Sequence, residues 1–137
     1  MNADEAVIRM FVDPAREERL VRFLSSPADR DRLRHEIGHL RELHPDYSQP
    51  VPPDQQSPEE IERLLRTLGA PDRCHLLSAD AELDGLELDL RDALEWVFGS
   101  GMTTFVSCIP GRLAYFEGRW PGERFVLERS GIPAESA

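Results

Sequence analysis

Hydrophobic positions recur at helical spacing in four segments of this chain, and each segment follows a helix-start signal. The ranges 14–25, 27–43 and 58–68 each begin with a proline, which follows Asp13, Ser26 and Ser57 respectively. The range 90–98 follows Asp89. An N-cap side chain with proline in the first turn is typical of a helix N-terminus. Apolar residues three or four positions apart give each segment one face for a core. We therefore predict helices over these ranges.

The C-terminal part instead contains short β-rich runs separated by turn residues. Runs at 74–79, 103–109, 112–117 and 124–129 have strand composition, and Pro-Gly pairs separate the last three. Short turns predict an antiparallel meander, which the first run joins through the helix between them, giving a C-terminal β-α-β-β-β order. The run at 6–12 is too short to distinguish strand from helix by periodicity; we favour a strand.

The length of 137 residues is the usual size of one domain. We expect a single α+β domain over residues 1–137, with three to four helices packed on a small, mainly antiparallel sheet. Within it the sequence predicts four parts: a helical N-terminal part (1–43), a proline-rich crossing without regular structure (44–57), an α/β core (58–129) and a frayed tail (130–137).

The charge composition limits the partners and the chemistry. The formal net charge is −10, so nucleic acid is disfavoured and a basic protein or a cation is favoured. All 16 basic residues are Arg, which excludes a Schiff-base amine and a P-loop lysine and is typical of a GC-rich, bacterial genome. Without a long apolar run or a signal-peptide pattern, we expect no membrane association and a cytoplasmic location. The sequence leaves the oligomeric state open.

His35-Glu36-Ile37-Gly38-His39 has the H-E-x-x-H pattern. In that pattern two histidines bind one Zn²⁺ and the glutamate acts on the metal-bound water. These five positions resemble the motif of the zinc metalloproteases, with His35 and His39 as ligands and Glu36 as the catalytic base. Arg32 and Arg41 depart from the usual flanks of that family. A third zinc ligand would come from Glu59 or Glu60. The alternative is a solvated helix face.

An acidic segment follows the first predicted strand of the C-terminal part. Asp80, Glu82, Asp84 and Gly85 resemble the first half of an EF-hand-type calcium loop, whereas Arg91 stands where that loop needs a bidentate Glu. Residues 80–95 contain seven acids and one Arg. The alternative to calcium is an acidic turn that leads into the Asp89 cap, and the acids Asp80, Glu82, Asp84 and Glu87 are then candidates for a face that binds a basic protein partner.

Two further features have alternative interpretations. Trp120 at a predicted hairpin tip either packs back on the fold or contacts a partner. Cys74, His75 and Cys108 are either buried residues or a thiol or metal site.

From these features the sequence predicts an acidic protein-interaction or regulatory module without enzymatic activity and without a cofactor. The alternatives are a small zinc hydrolase that uses the HEIGH segment and a small-molecule-binding domain between sheet and helices.

Overall fold

The computed structural model describes residues 1–129, and the predicted frayed tail 130–137 lies outside that part. The described chain has the α+β class expected from the sequence, with five α-helices where three to four were expected and with the C-terminal order β-β-α-β-β-β in place of β-α-β-β-β. Its helices are α1 (Ala3–Phe11), α2 (Pro14–Arg22), α3 (Arg30–Gly38), α4 (Pro58–Thr67) and α5 (Leu90–Val97), with short 3-10 turns at Phe23–Ser25, Pro27–Asp29 and Pro53–Gln55. Its strands are β1 (Ser48–Pro50), β2 (Arg73–Ser78), β3 (Glu87–Asp89), β4 (Thr104–Ile109), β5 (Leu113–Glu117) and β6 (Arg124–Glu128).

Side-chain caps fix the start of several helices. The side chains of Asn2, Asp13 and Ser57 accept hydrogen bonds from backbone amides of the first turns of α1, α2 and α4. Proline occupies the first position of α2 and α4, where no backbone donor is lost. Asp89 precedes α5 but makes no side-chain cap bond; its carboxylate lies 3.6 Å from Arg73.

The strands form one antiparallel sheet in the order β1-β6-β5-β4-β2-β3. The predicted meander of β4, β5 and β6 is confirmed, and β2 pairs with β4 as the crossover through α5 requires. The sequence missed the two short edge strands. β1 lies in the proline-rich crossing, where Pro50 is tolerated because an edge strand needs hydrogen bonds on one side only.

Each face of the sheet is covered by helices. Alternate strand residues point to opposite faces, so Leu76 and Val106 pack with α4 and α5, whereas Leu77 and Phe105 pack with α1, α2 and α3. The N-terminal helices therefore cover one face of the sheet, in contact with the C-terminal core. Helix α3, the loops beyond β2 and α5, and the β5–β6 hairpin line one cleft, where the candidate site is found.

One strand prediction and one helix prediction are corrected by the structure. Residues 6–11 belong to α1 rather than to a strand, with Val12 as the C-cap, because the Asn2 cap nucleates a turn whose apolar side chains Val7, Ile8 and Phe11 lie on one buried face. The helix predicted over 27–43 ends at Gly38, after which Leu43 forms a bridge with Val12. Glycine is a poor helix former, and the backbone bonds between the α1 end and residues 42–44 replace further helical turns.

In residues 1–129, no helix is both long enough and apolar enough to cross a membrane.

Candidate functional site

A cluster of charged residues ties the N-terminal helices to β2 and to the loop that follows it. The Arg30 cluster consists of Asp4, Arg30, His75 and Asp84. Arg30 donates to both oxygens of Asp84, at 2.7 and 2.8 Å, and to Asp4 at 3.0 Å. His75 Nε2 lies 2.8 Å from the second oxygen of Asp4. Asp84 also accepts from the Ser78 amide, and its side chain is only 3% exposed.

The pKa shifts in the Arg30 cluster all favour the charged forms. Burial alone would raise the pKa of Asp4, but the hydrogen bond with His75 and the charge of Arg30 outweigh it, and the net shift is downward. The hydrogen bond with Asp4 raises the pKa of His75 against the effect of its burial. The hydrogen bond with Asp84 raises the pKa of Arg30. These side chains therefore stay charged and pair with one another inside the fold.

A second buried network fixes the loop after α5. Glu117 is 3% exposed; it accepts a hydrogen bond from Tyr115 and two from Arg124, at 3.1 and 3.2 Å. The Gly99 amide donates to the same carboxylate at 3.0 Å. The guanidinium of Arg124 lies 3.9 Å from the centre of the Phe98 ring. This network holds the end of α5 against the β5–β6 hairpin.

The HEIGH histidines lie in an open cleft of about 550 Å³ at this end of the sheet. The rings of His35 and His39 are 4.6 Å apart, edge to face, and Arg119 Nη1 of the β5–β6 hairpin lies 3.5 Å from His39 Nδ1. We call this the histidine cleft; it is lined by Asp31, Arg34, His35, Gly38, His39, Ala79, Gly101, Met102, Thr103 and Arg119.

The structure brings His35 and His39 together in the cleft, whereas the other candidate residues of the zinc site, Glu36, Glu59 and Glu60, do not line it. Glu36 turns away from the cleft to Arg19, at 2.8 Å, and this hydrogen bond is the main reason that its pKa is lowered. Glu59 and Glu60 begin α4, which covers the opposite face of the sheet from α3. Across residues 1–129, no group of three or more His, Cys, Asp or Glu side chains is arranged to hold a metal ion.

The acidic segment divides into buried and exposed carboxylates. Both carboxylate oxygens of Asp84 accept hydrogen bonds from Arg30. They are therefore not free to bind calcium in the way that the resemblance to an EF-hand-type loop implies, or to bind a partner. Asp80 accepts from the Glu82 amide within the loop, and Glu87 lies 3.4 Å from His75 Nδ1. Glu82 and Glu87 are exposed. The structure therefore leaves a smaller acidic surface than the sequence suggests.

The outer face of α5 adds an aromatic residue that the sequence analysis did not select. Trp96 is 68% exposed, and Asp92 and Glu95 beside it are exposed and make no ion pair within residues 1–129. We call these three residues the tryptophan face. A helical wheel predicts this position, because Leu90, Ala93, Leu94 and Val97 occupy the opposite, buried side of α5.

Trp120 lies at the hairpin tip and is 53% exposed, with the Arg119 guanidinium 5.3 Å from its ring centre. The hairpin closes tightly at Gly118, where a Cβ atom would lie 2.5 Å from the Glu123 Cβ. This close approach requires glycine and presents Arg119 and Trp120 beyond the sheet. Trp120 is therefore not part of either core cluster of the described residues.

The cysteines do not form the thiol site considered from the sequence. Burial raises the pKa of Cys74 and of Cys108 to about 12, so neither is an activated thiol. Both lie in the core on the α4–α5 side of the sheet, whereas His75 contacts Asp4 of α1.

No protein-family model matches the chain, and comparisons with curated proteins and with solved structures found no match.

Proposed function

We propose that this chain is a protein-interaction module without catalytic activity that binds a basic protein through the tryptophan face. The observation that carries the proposal is the exposure of Trp96, at 68%, on a regular helix that also carries the exposed carboxylates of Asp92 and Glu95. A tryptophan with this exposure gains nothing from the core. Tryptophan is among the residues that contribute most to binding energy when a partner covers them.

The neighbours of Trp96 indicate the chemistry of the partner. Asp92 precedes Trp96 by one helical turn, so its carboxylate neighbours the indole on the helix surface, and Glu95 in turn neighbours Asp92 three positions further along the same exposed side of α5. An arginine or lysine of a partner would contact the ring face and pair with a carboxylate at the same time. The net charge of −10 would also speed the encounter with a basic protein.

Affinity capture from the source cells, followed by titration calorimetry with the purified partner, tests this proposal. We expect Trp96→Ala to cost about 2 kcal/mol of binding free energy or more, about a 30-fold loss of affinity. The double variant Asp92→Asn with Glu95→Gln should weaken binding and reduce its dependence on salt.

The control removes two charges elsewhere. Asp54 and Glu59 are exposed and make no ion pair within the described chain. Asp54→Asn with Glu59→Gln should leave the affinity nearly unchanged. Retention of a basic protein by wild type and control, but not by Trp96→Ala, supports the proposal. A partner that binds Trp96→Ala equally well, or the absence of any retained basic protein, contradicts it.

A further inference from the structure

The histidine cleft has a charge opposite to that of the protein as a whole. Within residues 1–129 Arg119 makes no ion pair, although the chain has 26 acidic and only 16 basic residues. Its nearest polar contact is the imidazole of His39, at 3.5 Å. A guanidinium placed next to a histidine rather than a carboxylate leaves its charge uncompensated by the protein.

The acids near the cleft are already paired with other arginines. Glu36 pairs with Arg19 and Glu123 pairs with Arg41, each at 2.8 Å. These pairings keep the neighbouring carboxylates from neutralising Arg119.

Asp31, the acid that lines the cleft, pairs with Arg34, and Arg34 also lies 3.4 Å from Asp84. Among the charged residues that line the cleft, Arg119 is therefore left without a carboxylate partner. The imidazoles of the cleft supply further hydrogen-bond donors.

From this arrangement we infer that the histidine cleft binds a small molecule that carries a phosphate group, held by Arg119 with His35 and His39. A guanidinium presents several N–H donors in a fixed fork that matches phosphate oxygens, and an imidazole donates one more. The same charge repels a metal cation. This places an anion where the H-E-x-x-H pattern suggests zinc.

The volume of the cleft indicates a ligand larger than a free phosphate ion. A volume of about 550 Å³ is within the range of small-molecule sites and exceeds what a phosphate group fills. Apolar atoms of Met102 and Ala79 line the same space and would contact the organic part of the ligand. The ligand class is therefore a small organic molecule that carries a phosphate group.

Two-dimensional NMR of the ¹⁵N-labelled full chain tests the inference with inorganic phosphate as the probe and with chloride to hold ionic strength constant. We expect saturable shifts confined to the cleft. Arg119→Gln should weaken phosphate binding about tenfold, since it removes a charge-assisted hydrogen bond. Arg112→Gln is the matched control, because Arg112 is also exposed and without an ion pair in the described residues but lies in the β4–β5 turn.

Further arms separate the alternatives. Acetate should bind more weakly than phosphate, and equal affinity for the two would overturn the phosphate class. Non-saturable shifts, or equal phosphate binding by Arg119→Gln and wild type, would overturn the site. If protein that has been stripped of metal takes up one zinc per chain, and His35→Gln abolishes this uptake, the cleft is a metal site and not a phosphate site. The NMR spectrum reports folding of each variant, and His39→Gln, with the same expected loss, serves if Arg119→Gln does not fold.

Discussion

The Arg30 cluster and the histidine cleft use the same residue types with opposite results. In the cluster, Arg30 meets two carboxylates and His75 meets Asp4, so every charge has a partner inside the protein. In the cleft, Arg119 meets His39 and no carboxylate of the described chain. Satisfied charges contribute to stability and bind nothing further, whereas unsatisfied charges are available to a ligand. The difference separates residues that hold the fold from residues that are available for function.

The strongest test of this comparison breaks the Arg30 cluster. Arg30→Met keeps the bulk of the side chain but leaves Asp84, 3% exposed, with only the longer contact to Arg34 at 3.4 Å, and Asp4 with only His75. We expect a loss of about 3 kcal/mol in the free energy of unfolding, because a buried charge without its partner is costly. Urea denaturation measures it. The control is Arg32→Met, because Arg32 is an exposed residue of α3 that makes no ion pair in the described residues. This variant should leave the free energy of unfolding nearly unchanged. Equal effects of the two variants would contradict a structural role for the cluster.

The pH dependence of stability sharpens the same comparison. The pKa of His75 is raised above its ordinary value of 6.5 in the folded protein, chiefly by the hydrogen bond with Asp4. Its contribution is therefore fully present below pH 6.5 and is lost as the pH rises through the raised value.

Urea denaturation between about pH 6 and about pH 9 should show this decline, and His75→Gln and Asp4→Asn should both reduce it. Glu87→Gln removes a more exposed partner and should have a smaller effect. A decline that is the same in His75→Gln would assign it to another group.

A smaller effect concerns salt and the exposed acids of α5. Asp92 and Glu95 are three residues apart on α5 and make no ion pair within the described chain, although the charge of Arg91 acts on Glu95, so we expect the two carboxylates to repel each other. Asp92→Asn with Glu95→Gln should raise stability at low salt by a few tenths of a kcal/mol and reduce the gain on adding salt. Thermal denaturation measures both. Calcium should add nothing beyond magnesium at equal ionic strength, because Arg30 occupies both Asp84 oxygens; a calcium-specific rise would contradict this.

The smallest expected effects belong to the two proposed binding surfaces. Trp96→Ala and Arg119→Gln should each change the free energy of unfolding by less than about 0.5 kcal/mol, since both side chains are exposed. The urea midpoint and slope of each variant check this. A loss as large as that of Arg30→Met would show that the side chain supports the fold, and the comparison drawn above would not hold.

Much of the fold was predictable because its signals are local. The Ser57-Pro58 start of α4 and the Pro-Gly turns of the meander specify structure within a few residues of themselves. The prediction at α1 was wrong because the seven apolar-rich residues considered fit the periodicity of a strand and that of a helix equally well. The Asn2 cap, which favours the helix, lies before those residues. The exposed position of Trp96 follows from the apolar stripe of α5, so the sequence contained that signal as well.

The charged sites required the tertiary structure, because their partners lie far apart along the chain. Arg30 and Asp84 are 54 residues apart, His75 and Asp4 are 71 apart, and Arg119 and His39 are 80 apart. By itself, the sequence determined the α+β class, the meander and an excess of negative charge, since these depend on local pattern and composition. Only the folded chain decided which acids pair with arginine and which arginines of the described residues make no ion pair, because ion pairs depend on distance in space and not on separation in sequence.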